Sequence, residues 1–148
     1  MVNVRLLEPR DIQHIVELEK AYLKETLGEE LLKEEQKRMS REEDGVCFYV
    51  IEYNHIVIGY IGRYYFLHEA EILNFVIDEA YQRQGFGQLL WDSVVKDLKD
   101  VKKITLEVRS SNEKAIRFYQ KNGFVCVGKR IAYYQNQEDA LLLLKEYI

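Results

Sequence analysis

Proline occurs once in this chain, at Pro9, and cysteine only twice, at Cys47 and Cys126. The two cysteines are far apart and make no C-x-x-C pair, which excludes a disulfide framework and a cysteine metal cluster. Both are read as ordinary apolar strand residues. Histidine is as sparse: His14, His55 and His68 are scattered over a helix and turns and carry no assigned role, so no metal is expected. H-E-x-x-H and G-x-S-x-G are absent, which removes the common zinc-protease and serine-hydrolase signatures. No apolar run approaches the ~20 residues of a membrane span. The start, MVNVRLLEPRD, carries charge where a signal peptide needs an apolar stretch. A cytoplasmic protein with no membrane partner is the expectation. Excess positive charge is also missing. The formal net charge of −4 argues against a nucleic-acid partner and tolerates a cationic substrate.

Neither an internal repeat nor a low-complexity tract is present, and residues 1–148 are expected to form one domain. Apolar residues make up 47% of the chain, enough for one well-buried core. Val2 to Leu7 alternates like a short strand. Pro9-Arg10-Asp11 then opens a helix striped by Ile12, Ile15, Val16 and Leu18. From Lys24 to Asp44, Leu27, Leu31, Leu32 and Met39 anchor a second helix, and the charges of GEELLKEEQKRMSREEDG form its solvated face. Val46–Tyr53 and Ile56–Phe66 read as a hairpin around Asn54-His55, followed by a strand from Ala70 to Asp78. Phe86, Leu90, Val94 and Leu98 recur every four residues, with Leu89, Trp91 and Val95 beside them, as one helix with a broad buried face. Lys103–Arg109 is a strand. Asn112 caps a helix that Gly123 stops. Two strands, Phe124–Tyr134 and Ala140–Tyr147, close the chain. The order β-α-α-β-β-β-α-β-α-β-β describes a mixed α/β (α+β) domain of about seven strands and four helices, not a regular doubly wound sheet.

The stretch YQRQGFG, Tyr81–Gly87, holds two of only eight glycines. It lies between a strand and a helix start, where free backbone N–H groups and the helix dipole favour an anion. A Walker A loop is excluded, because no Gly-Lys-Ser/Thr follows. A dinucleotide fingerprint is incomplete, because Leu90 takes the third glycine position. The glycines by themselves fit either a phosphate loop or a tight turn.

The full pattern Gln82-x-x-Gly85-x-Gly87 resembles the acyl-CoA pyrophosphate loop of the GNAT superfamily of N-acetyltransferases. NFVIDEAYQ before it resembles the strand with which that family holds the pantetheine arm. LEVRSSNEKAIRFYQKNGF, Leu106–Phe124, looks like the family's next strand and helix. LEVRSSN, AIRFYQKNGF and the late YYQNQEDALLL resemble most closely the branch that acetylates protein N-termini, typified by the ribosomal-protein alanine N-acetyltransferase. Leucine at Leu141–Leu144, where relatives often carry methionine, departs from that branch and bears on acceptor details. The resemblance implies a GNAT-like mixed sheet, acetyl-CoA as co-substrate and no metal. It implies that backbone amides of Arg83, Gln84, Gly85, Phe86, Gly87 and Gln88 cradle the pyrophosphate. Phe75, Val76 and Ile77 would pair their backbone with the pantetheine arm, an amide there polarising the acetyl carbonyl, and Asn112 would touch the same arm. Glu107 matches the branch's general base and Tyr119 its general acid. Tyr133, Tyr134 and Glu138 lie where relatives shape the acceptor pocket.

Transfer from a thioester to an amine needs a base for the ammonium, a donor for the carbonyl oxygen and a proton for the leaving thiolate. Glu107 shares one side of its strand with Thr105 and Arg109, opposite Leu106 and Val108. It is either a base or a water-facing carboxylate paired with an arginine. Tyr119 is either a proton donor or a core tyrosine. Asn112 can cap its helix and touch a ligand together. The acceptor implied is a protein or peptide N-terminus, or else a small amine such as a polyamine, amino sugar or antibiotic, taken by a monomer or homodimer. A module that senses acetyl-CoA without catalysis needs neither Glu107 nor Tyr119.

Overall fold

Pro9 starts the first helix by way of a single 3-10 turn, Pro9–Asp11. The Asp11 carboxylate accepts the Glu8 amide at 2.8 Å and the Arg5 guanidinium at 2.7 Å, so strand, turn and helix start are joined by one buried acid. The computed structural model describes residues 1–41 and 44–147. Glu42 and Glu43 of the charged stretch lie outside the described residues. Among those described, the chain runs β1 Val2–Leu6, α1 Ile12–Tyr22, α2 Glu29–Arg38, β2 Gly45–Tyr53, β3 Ile56–Phe66, β4 Glu69–Ile77, α3 Phe86–Asp97, β5 Lys103–Arg109, α4 Glu113–Lys121, β6 Val125–Arg130 and β7 Ala140–Glu146. This is the expected mixed α/β order.

The strands form one sheet, β1-β2-β3-β4-β5-β7-β6, with a core on each face. Ile12, Ile15, Val16 and Leu18 of α1 and Leu32 of α2 pack on Phe48, Val50, Tyr60 and Val76. Phe86, Leu90, Trp91, Val94 and Leu98 of α3 and its C-cap, with Tyr119 of α4, pack on Tyr49, Ile51, Ile58, Ile61, Leu106 and Val108. Every member of the four-residue repeat in α3 is therefore buried. Each such side chain contributes about 1.5–3 kcal/mol of transfer free energy. Leu31 and Leu89 instead face water.

The sheet divides in its middle. β4 and β5 are parallel neighbours over only three pairs, Glu69↔Lys103, Ala70↔Ile104 and Glu71↔Thr105. Beyond Glu71, the ladder between β3 and β4 steps from Arg63↔Ile72 to Gly62↔Asn74, leaving Leu73 as the extra residue of a bulge. A bulge bends its strand and increases the twist. From there β4 follows β3 while β5 follows β7, and a wedge opens between them.

One sequence expectation fails at the far edge. The strand expected over Phe124–Tyr134 ends at Arg130. Ala132 and Gln137 take positive φ, and the Asp139 carboxylate accepts the Ala132 amide at 2.8 Å, so residues 131–139 turn instead. Cys126 is exposed, unlike the fully buried Cys47. β6 is an edge strand that no helix covers, so its apolar residues Val125 and Val127 face water as well.

Candidate active site

The loop between β4 and α3 is built to leave donors free. Arg83 has φ +64 and Gly85 has φ +85, both left-handed. The Gln82 side chain ties the loop back to β4 by donating to the Ile77 carbonyl at 3.0 Å. The first intrahelical bond is Leu89 N–H to Gly85 C=O at 3.1 Å. Among the described residues, the six amides from Arg83 through Gln88 therefore meet no acceptor in the chain. An ordinary helix start leaves four orphan amides. Here two more precede them, at the positive end of α3. Left-handed residues on either side of Gln84 help to turn successive N–H groups into one concavity, which suits a phosphate. A Cβ on Gly85 would meet nothing within 4 Å, so backbone conformation, not crowding, demands that glycine. A Cβ on Gly87 would sit at ordinary contact distance, 3.7 Å from Ile77 and 3.9 Å from Phe75.

The wedge supplies a second row of backbone groups. Asp78 N–H donates to Ile58 C=O at 2.7 Å. That bond fixes the antiparallel alternation. Asp78, Val76 and Asn74 direct their amides at β3, and Phe75 and Ile77 direct theirs into the wedge. Of the three residues named for the pantetheine arm, Phe75 and Ile77 thus offer wedge-facing amides, the Ile77 carbonyl being taken by Gln82, and Val76 is engaged with β3.

A cleft of about 1110 Å³ occupies the mouth of the wedge. Glu107 and Tyr119 both line it, as do Asn112, Phe75, Tyr133 and Tyr134. Glu107 is about a third exposed and accepts from Arg130 Nε at 3.0 Å, so the arginine pairing foreseen for it is present inside the cleft. Tyr119 is buried. Its ring meets Trp91 at 5.9 Å, Phe118 at 5.5 Å and Phe124 at 5.4 Å. Such edge contacts contribute about 0.5–1.5 kcal/mol each and fix where the phenol points. Burial pushes that phenol above its ordinary 10, so it stays protonated at neutral pH. Asn112 caps α4 by accepting from the Ala115 amide at 3.2 Å. Tyr133 and Tyr134 stand edge to face at 5.2 Å on the turn after β6. Glu138 is not among the lining residues. A hydrogen bond from Ser111 and another from the Arg109 guanidinium, at 2.8 Å, hold its carboxyl down to about 2.

Two clusters that the sequence reading missed position this cleft. Arg109 lies 4.0 Å over the Tyr134 ring and bonds both Glu138 and Glu25. It thereby joins the turn after β6 to the loop after α1, the two segments that flank the cleft. Glu19 is fully buried. Its carboxylate accepts from Leu27 N–H at 2.9 Å, Gly28 N–H at 3.1 Å, Tyr60 Oη at 2.5 Å and Asn74 Nδ2 at 3.2 Å. A signal existed: Glu19 follows Ile12, Ile15 and Val16 at the next position of the buried stripe, where an apolar residue is due.

The profile of the acetyltransferase (GNAT) family matches residues 12–124. The chain belongs to the GNAT acetyltransferase family. A Bacillus subtilis (strain 168) protein, provisionally named a ribosomal protein bS18-alanine N-acetyltransferase, is 33% identical over 95% of this chain and 92% of its own. Among solved structures, the ribosomal-protein-S18-alanine N-acetyltransferase from Escherichia coli superposes with TM-score 0.84 at 25% identity, covering 99% of this chain and 94% of that one. Ard1 from Thermoplasma volcanium gives 0.88 at 27%, covering 99% and 98%. This GNAT chain is an N-acetyltransferase whose co-substrate is acetyl-CoA, and its residues fit that molecule. Six unpartnered amides suit the pyrophosphate, and the edges of Phe75 and Ile77 suit an amide-bearing arm. Open space above Gly85 admits the phosphates. Among the described residues, no group of three His, Cys, Asp or Glu side chains is placed to hold a metal ion.

Proposed function

We propose that residues 1–148 form a single catalytic domain that acetylates the N-terminal α-amine of a protein or peptide. The observation that carries this reading is one cleft at the mouth of the β4–β5 wedge, lined together by a strand carboxylate, Glu107, and a buried phenol, Tyr119. The amide cradle sits at the start of α3 and the acceptor loops flank the cleft. The E. coli and B. subtilis relatives carry names that specify N-acetylation of an alanine of a ribosomal protein.

Bound acetyl-CoA supplies an acetyl group already activated as a thioester. The amides of Arg83 through Gln88 bind its pyrophosphate, and Phe75 and Ile77 orient the arm. Glu107 takes a proton from the acceptor's ammonium, directly or through a water. A wedge-facing amide of β4 donates to the carbonyl oxygen where negative charge develops. The freed amine attacks the acetyl carbon. The C–S bond breaks as Tyr119, held protonated by burial, gives its proton to the departing sulfur. The second proton that the nitrogen sheds on becoming an amide returns through solvent to the phenolate. Arg130 keeps the Glu107 carboxylate directed into the cleft.

Free-thiol release from acetyl-CoA tests this against peptides beginning with alanine, serine or methionine, an N-terminally blocked peptide with internal lysines, polyamines and aminoglycosides. Release with the free N-termini and none with the blocked peptide is the expected result. Release with small amines alone overturns the acceptor assignment. Tight acetyl-CoA binding without release to any acceptor overturns catalysis.

A further inference from the structure

A second hollow, of about 330 Å³, lies beside the cleft on the same face of the sheet. Tyr64 and Phe66 of β3, Glu69 and Glu71 of β4, and Lys103 and Thr105 of β5 line it. Glu71 and Thr105 line the main cleft as well, so the two depressions adjoin. The face is uncovered for a definite reason. α1 and α2 pack on Phe48, Val50, Tyr60 and Val76, and among the described residues neither core cluster includes Tyr64, Phe66, Glu69, Glu71, Lys103 or Thr105. Tyr64 and Phe66 remain 43% and 47% exposed. Glu69 is neutralised by Lys103 at 2.7 Å. Glu71 is different: its carboxylate is exposed and, among the described residues, has neither a hydrogen bond nor an ion pair.

We propose that this hollow is a subsite for the acceptor polypeptide a few residues beyond its reacting N-terminus, taking a basic residue against Glu71 and an apolar one on Tyr64 and Phe66. This rests on the N-terminal reading of the cleft and sharpens it into a substrate class. Strand geometry sets the register. Each residue of an extended chain advances about 3.3 Å. From Glu107 to Thr105 is then about 7 Å, two acceptor residues, and from Glu107 to Lys103 about 13 Å, four. An acceptor whose amine lies at Glu107 and whose chain descends along β5 presents its third residue to Glu71 and its fifth to the aromatic pair. The unpaired acid selects lysine or arginine at the third place over glutamate. The aromatic pair offers flat, largely exposed apolar area.

The test compares an alanine-initiated tripeptide with a heptapeptide that extends it, carrying lysine third and phenylalanine fifth. The expected kcat/KM advantage of the heptapeptide is roughly ten-fold, the worth of one buried apolar side chain. Phe66→Ser should abolish that advantage and leave the tripeptide rate unchanged. Glu71→Gln should remove the preference for lysine over glutamate at the third residue. Equal kcat/KM for the two lengths overturns the subsite, as does a Phe66→Ser enzyme slowed equally on both peptides. If neither peptide reacts while a polyamine releases thiol, the N-terminal reading has failed and the subsite with it. That pattern differs from reactive peptides with no length effect.

Discussion

Tyr60 donates its hydroxyl to the carboxylate of Glu19 at 2.5 Å, and neither residue is exposed to water. The bond joins β3 to α1 in the middle of the sheet. The same carboxylate holds the amides of Leu27 and Gly28, and Asn74 of β4 reaches it too. Asn74 also donates to the Glu25 carbonyl at 3.3 Å. The strand that offers Phe75 and the loop that carries Glu25 are thus fastened to one buried acid. A charge in the core persists only when hydrogen bonds satisfy it. Here four donors do.

Glu19→Gln tests that role. An amide of the same shape replaces one acceptor oxygen with a donor, which then faces other donors. Each orphaned donor costs about 1–3 kcal/mol, so the melting temperature should fall by several degrees. With the loop loosened, KM for the acceptor peptide should rise while the Kd for acetyl-CoA holds. Equal losses in both would mean that Glu19 supports the fold alone.

Gly85 and Gly87 should behave differently, although the sequence presents them as a pair. Gly85→Val places a β-branched residue at φ +85, a strain of about 1–3 kcal/mol, and projects its side chain into the space above the cradle. Acetyl-CoA affinity should drop by at least about ten-fold. Gly87→Ala adds only van der Waals contacts and should bind nearly as wild type. Calorimetric titration of both variants, with melting curves to confirm folding, decides it. Normal binding by Gly85→Val would contradict the cradle.

Glu138 gives a pH dependence whose sign follows from its pairing. Ser111 and Arg109 lower its carboxyl from the ordinary 4.5 to about 2. The folded chain therefore binds this proton less readily than the unfolded chain. The stabilisation is complete above about 4.5 and is lost as pH falls toward about 2. Glu138→Gln should be less stable than wild type at neutral pH, with the gap in melting temperature closing across that acid window. A constant gap would show that the pairing contributes no titrating stability.

Local pattern carried most of the fold. The four-residue repeat in α3, the Asn112 cap and the Gly123 stop are each written within a few residues of sequence, and each is found. The wedge was not legible, because it depends on one extra residue, Leu73, in a strand with no glycine or proline to mark a bulge. The edge position of β6 was likewise hidden, since exposure of Val125, Cys126 and Val127 is decided by the absence of a covering helix. For the site, motif residues carried the cleft: Glu107, Tyr119, Asn112, Tyr133 and Tyr134 all line it. Long-range pairs lay beyond reach. Arg109 meets Glu25 across 84 positions, and Asn74 meets Glu19 across 55.

Glu107→Gln and Tyr119→Phe should separate chemistry from binding. Each retains the shape and the packing, so acetyl-CoA should bind as before. Loss of the base should lower kcat by roughly 10²–10⁴-fold, and loss of the phenol by a comparable or smaller factor. Single-turnover rates alongside equilibrium binding read the two effects apart. Unchanged turnover in both variants would remove the mechanism.

The most direct measurement locates the acetyl group. An alanine-initiated peptide with an internal lysine is incubated with the enzyme and acetyl-CoA, and fragment masses assign the added acetyl to one amine. A single acetyl on the α-amine is expected, and none when that amine is blocked. Acetyl on the lysine side chain, or a peptide left unmodified while a polyamine is acetylated, would contradict it.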